Sequence, residues 1–123
     1  MMEVNLSAQQ YSALSNLINS ISKRDSATLS SEFNISQEIQ EEIIESLENY
    51  YDTSTILTAP PKDRASESAG GGRSFIEAFH MNDGAIGIEC ILFADGEPGE
   101  AIIHIEMSTN TTNPKLTYKY IGS

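Results

Sequence analysis

Apolar positions in this chain recur first every three or four residues and later every second residue, and the change of period falls near residue 53. Tyr11, Leu14, Leu17, Ile18 and Ile21 share one helical face, which predicts an amphipathic helix ending about Lys23. Ser7 stands three residues before Gln10, a pairing that satisfies backbone donors at a helix start. Asp25 or Ser26 can open a short second helix through Leu29 and Phe33. Asn34 with Gln37, or Ser36 alone, opens a third, whose stripe is Ile39, Ile43, Leu47 and Tyr50.

Beyond residue 53 the alternation predicts strands at about 54–58, 74–82, 85–93, 100–108 and 116–121. Pro60 and Pro61 stop the first of these, and residues 62–72, ending in Gly70, Gly71 and Gly72, read as a mobile loop. Asp83-Gly84, the segment from Asp95 to Gly99, and a polar stretch from Asn110 to Pro114 separate the others, as in an antiparallel meander. A two-residue turn at Asp83-Gly84 would set Met81 opposite Ile86, Phe79 opposite Ile88, Glu77 opposite Cys90 and Phe75 opposite Leu92. Placing Phe93 opposite Glu100 across the loop from Asp95 to Gly99 would set Ile88 opposite Ile105, Cys90 opposite Ile103 and Leu92 opposite Ala101. Both registers send Phe75, Phe79, Met81, Ile86, Ile88, Cys90, Leu92, Ile103, Ile105 and Met107 to one face, expected beneath the helices. Ile76, Ala78, His80, Glu89, Ile91, Ile102, His104 and Glu106 are left on the other. The expected fold class is α+β: helices over about residues 7–51 packed on a curved antiparallel meander of four to five strands over about 53–121, in one domain of 123 residues.

Charge adds a strong asymmetry. The formal net charge is −11, and no Lys or Arg occurs in residues 25–61 or 74–114. Neutralising phosphates needs the opposite sign, so nucleic acid and anionic membrane surfaces are not expected partners. Glu38, Glu41, Glu42, Glu45 and Glu48 lie off the apolar stripe of the third helix, where their mutual repulsion opposes folding unless packing overrides it. The first ten residues lack a basic and then apolar leader, and a single cysteine, Cys90, suits a reducing compartment, so a cytoplasmic location is expected.

Candidate chemistry is sparse. His80, Glu89, His104 and Glu106 fall together on the outer face, where a solvated or partner-contacting cluster is favoured over a metal site or acid–base pair. Glu77, on the apolar face, could act as a base in a pocket between sheet and helices, although contact with water, Arg73 or Lys119 at the sheet edge is the simpler reading. Cys90 reads as a small core residue, and no common catalytic motif occurs. No catalytic residue, cofactor or metal is therefore expected.

Helices followed by a long antiparallel meander in about 120 residues resemble the cystatin-like or nuclear-transport-factor-2-like (NTF2-like) architecture. Small, acidic members without catalytic motifs are similar to immunity proteins of bacterial polymorphic-toxin and contact-dependent growth inhibition systems. That resemblance implies a protein that binds and blocks a cognate toxin C-terminal domain, often a basic nuclease, using acidic groups in place of phosphate. Glu38, Glu41, Glu42, Glu45 and Glu48, with Asp83, Asp95, Glu97 and Glu100 at the hairpin tips, are the expected partner-binding residues. The alternative is an NTF2-like small-molecule-binding domain or small enzyme with its pocket near Glu77. A third is a homodimer through the outer sheet face, using Ile76, Ile91 and Ile102.

Overall fold

A computed structural model of the chain describes residues 6–64, 74–109 and 114–122. Most of the expected 62–72 loop and most of the 110–114 stretch therefore lie outside the described residues. Three helices come first: α1 (Ala8–Lys23), α2 (Ser26–Ser31) and α3 (Gln37–Glu48). Each begins where a short polar side chain meets orphan backbone donors. The Ser7 hydroxyl accepts from the Gln10 N–H at 3.1 Å while the Gln10 side chain accepts from the Ser7 N–H at 2.9 Å. Asp25 caps α2 through the Thr28 N–H, and Ser36 caps α3 through the Ile39 N–H.

Strands β1 (Leu57–Thr58), β2 (Ile76–His80), β3 (Ile86–Ala94), β4 (Glu97–Met107) and β5 (Leu116–Gly122) form one antiparallel sheet that stays open rather than closing on itself. The order across it is β1-β3-β4-β5, with β2 also pairing with β3. Strands β1 and β2 share one edge of β3, lying against its C-terminal and N-terminal ends respectively. The first strand is shorter than the expected 54–58, and β2 starts later than expected.

The helices cover one face. Leu14, Leu17, Ile18 and Ile21 of α1 are at most 4% exposed and meet Ile88, Cys90, Leu92, Ile103 and Ile105 of the central strands in a single core. At about 1.5–3 kcal/mol per buried aliphatic side chain, those four residues of α1 supply roughly 6–12 kcal/mol before conformational entropy is subtracted. Ile43 and Leu47 place α3 on the same core. The Gln40 side-chain amide, also buried, donates to the Ile35 carbonyl at 2.9 Å, tying α3 to the segment before it.

The first hairpin corrects the expected pairing. Its loop has three residues rather than two: the Gly84 N–H donates to the Met81 carbonyl at 3.1 Å, the Met81 N–H to the Ala85 carbonyl at 2.9 Å, and Gly84 sits at φ +89°. That is a turn followed by a left-handed residue, a conformation glycine adopts without steric cost. The pairs become Ile76 with Cys90, Glu77 with Glu89, Ala78 with Ile88 and Phe79 with Gly87. A shift of one residue exchanges the faces of a strand. Ile76 and Ala78 therefore enter the core, whereas Phe75 joins Ile91, Phe93 and Ile102 in a second cluster on the face away from the helices, and Phe79 packs beside Gly87.

The second hairpin is also tighter than expected. Asp95 and Gly96, at φ +50° and +85°, form a two-residue turn between Ala94 and Glu97, so β4 begins at Glu97 and Phe93 pairs with Pro98 instead of Glu100. The register further along agrees with expectation: Ile88 pairs with Ile105 and Cys90 with Ile103. The difference is absorbed by a bulge between Ile91 and Phe93. There the Ala101 N–H donates to the Tyr51 hydroxyl at 3.0 Å. A methyl group at Gly99 would run into that hydroxyl and lie 2.6 Å from the Leu92 carbonyl oxygen, so only glycine permits this approach.

Candidate functional site

Ser36 sets the phase of α3, which buries Ile43 and Leu47 and leaves Glu38, Glu41, Glu42, Glu45 and Glu48 all exposed. Spacings of three and four residues place each carboxylate beside another, and among the described residues none of the five is held in an ion pair. The helix has no basic residue in its last turn to offset the negative end of its dipole. Beneath it, the Tyr118 hydroxyl is pushed up to about 12, first by burial and then by the Glu42 charge, with backbone hydrogen bonding at Ile121 acting the other way.

The hairpin carboxylates do not form one group. Successive turns of a meander lie at opposite ends of its strands, and β3 runs nine residues between the two turns. At about 3.3 Å per residue, Asp83 stands roughly 25–30 Å from Asp95. Asp83 accepts from the Ala85 N–H at 3.0 Å within its own turn. Asp95 is structural as well as acidic: its carboxylate accepts from the Ile56 N–H at 3.0 Å and its own N–H donates to the Ile56 carbonyl at 2.8 Å. Glu97 and Glu100 are exposed on β4 itself, where the expectation put Glu97 in a loop and Glu100 at the start of the strand. Because Tyr51 anchors the end of α3 to β4, and Glu48 lines a small cleft with Tyr51, Asp52 and Leu57, the C-terminal end of α3 lies at the Asp95 end of the sheet. The structure thus gathers Glu48, Asp52, Asp95, Glu97 and Glu100 toward one end and leaves Asp83 apart.

On the face away from the helices, the corrected register brings Glu77 out of the core. Glu77, Glu89, His104 and Tyr120 form one row across β2, β3, β4 and β5. The His104 Nδ1 is 3.9 Å from a Glu89 carboxylate oxygen, and the Tyr120 ring lies flat on the imidazole, with centroids 4.1 Å apart and an angle of 11°. Glu77 accepts from the Ser74 N–H at 3.4 Å and lines none of the larger cavities described. The expected pocket between sheet and helices therefore loses its carboxylate. His80 leaves the cluster too, since Phe79 rather than His80 pairs with Gly87 beside Glu106. Among the described residues no group of three or more His, Cys, Asp or Glu side chains is arranged to hold a metal ion. Ile76 is buried under the helices, so the apolar patch expected for a dimer is reduced to Ile91 and Ile102 with Phe75 and Phe93. The Arg64 guanidinium covers the last two rings at 5.6 and 5.7 Å.

Sequence reasoning missed Phe79, Gly87 and Tyr120 as neighbours of Glu89 and His104. A bulge in β5 between Tyr118 and Tyr120 turns both Lys119 and Tyr120 toward this face, and the Lys119 ammonium meets Glu106 at 3.2 Å. Alternation alone gives no signal of such a bulge; the adjacent Lys119 and Tyr120 carry none. Cys90 is fully buried, its thiol directed at the Ile91 carbonyl, as a core residue. No helix among the described residues is long and apolar enough to cross a membrane. Comparison with protein-family models, with curated proteins and with solved structures finds no match to this chain.

Proposed function

We propose that this chain is a binding protein that captures a basic protein domain on its acidic helix, in the manner of a cytoplasmic immunity protein neutralising a cognate bacterial toxin. One observation carries the reading. Five glutamates on α3 are exposed together with no cationic partner among the described residues, on a helix whose other face is locked into the core. Such a surface costs folding energy through self-repulsion and repays it when a cationic surface docks. Asp52, Glu97 and Glu100 extend the same field from Glu48 to the adjacent end of the sheet. The order of three helices before an antiparallel meander supports a cystatin-like architecture.

The test is co-expression with the product of the open reading frame immediately upstream, scored by cell survival. The wild-type chain is expected to restore growth. The triple variant Glu41→Lys, Glu42→Lys, Glu45→Lys is expected to fold and to lose at least about tenfold in affinity, chiefly through slower association that salt also slows. A neighbour whose toxicity is not suppressed, or a triple variant that binds as well as wild type, overturns the reading.

A further inference from the structure

The face of the sheet away from the helices holds a cleft of about 120 Å³, and we propose that it receives an arginine side chain presented by a peptide or protein partner. The site lies opposite α3 and does not depend on how the α3 glutamates are used. Its volume suits one side chain and is well below that of pockets for drug-sized ligands. Gly87 lets the Phe79 ring close down over β3: a methyl group there would come 2.5 Å from that ring and 3.2 Å from the Met81 sulfur. Phe79 bounds the cleft from β2, and the stacked rings of His104 and Tyr120 bound it from β4 and β5. The carboxylates of Glu89 and Glu106 complete it. Aromatic faces attract cations, and carboxylates fix their orientation.

Two internal contacts show that this face accepts cations. Lys119 already reaches Glu106 at 3.2 Å, and Arg64 already lies over the rings of Phe75 and Phe93 farther along the same face. A planar guanidinium can stack on Tyr120 while bonding a carboxylate through two N–H groups, which a lysine ammonium cannot do. Tyr120 is 56% exposed, so it is available to an incoming group and can be replaced without disturbing the core.

The experiment titrates the full chain with N-acetyl-arginine methylamide at neutral pH and low salt, following amide shifts by NMR. The corresponding citrulline and lysine amides serve as neutral and ammonium controls. Saturable shifts are expected at Gly87, His104 and Tyr120 with a millimolar dissociation constant, and weaker binding of both controls. Tyr120→Ala should weaken arginine binding about threefold. Lys119→Ala, which removes the internal competitor, should tighten it about twofold, a gain that misfolding cannot imitate. Equal binding of citrulline or lysine, shifts confined to α3, or a Lys119→Ala variant that binds more weakly overturns the proposal. Arginine binding here together with failed toxin suppression would leave this site standing and remove only the immunity reading.

Discussion

Gly99 and Tyr51 meet at the bulge that joins the end of α3 to β4, and their substitutions should be strongly non-additive. In Gly99→Ala the new methyl group faces two obstacles, the Tyr51 hydroxyl and the Leu92 carbonyl oxygen at 2.6 Å. Overpacking of this kind costs about 1–3 kcal/mol. In Tyr51→Phe the Ala101 N–H loses its acceptor in a partly buried position, at a cost of about 1–2 kcal/mol. Removing the hydroxyl also removes one of the two obstacles to the methyl group. The double variant should therefore be less damaged than the sum of the singles by about 1 kcal/mol, within the range seen for residues in contact. Urea unfolding followed by far-ultraviolet circular dichroism measures this directly, and with a slope of about 1–1.5 kcal/mol per molar the coupling corresponds to a midpoint difference near 0.7–1 M. Additivity within about 0.3 kcal/mol would show that the hydroxyl does not hold the bulge in the way described.

Two further outcomes follow from α3 and its neighbour on β5. Glu45→Gln should raise stability by about 0.3–0.6 kcal/mol by relieving repulsion from Glu41, Glu42 and Glu48 and the unfavourable dipole, and the gain should shrink in high salt; unfolding midpoints at two salt concentrations check it. Tyr118 has a folded-state value of about 12 against an ordinary 10.0, so folding favours its neutral form. The stability this contributes is complete below pH 10 and is lost as pH rises from there through about 12. Tyr118→Phe should flatten that alkaline decline and remove a late-ionising component from a phenol absorbance titration; an unchanged decline in the variant would refute the assignment.

The helices were legible because their starts are encoded locally: Ser7 with Gln10, Asp25, and Ser36 each act within three residues. The pairing of β3 with β4 was legible because both strands alternate without interruption around Ile88 and Ile105. Strand β2 was not, since Phe75, Phe79 and Met81 in one phase and Ile76 and Ala78 in the other are both apolar. Its side-chain pattern is nearly degenerate, and the choice rests on whether the chain reverses over two residues or three. Pro98 and Gly99 signalled a loop because both are disfavoured inside strands, yet the bulge accommodates them within β4. The exposure of the α3 glutamates followed from periodicity alone. The separation of Asp83 from Asp95 required the sheet topology, which composition does not carry.

The hairpin between β2 and β3 has a consequence for how the chain can vary in length. Removing one residue between Met81 and Ala85 would turn β2 inside out, sending Ile76 and Ala78 to the opposite face and driving Phe79 into the layer beneath the helices. Adding two residues would leave each side chain on its present side. Length changes at this tip are tolerated in even numbers, and an odd one would dismantle both the buried layer and the row of Glu77, Glu89, His104 and Tyr120 at once.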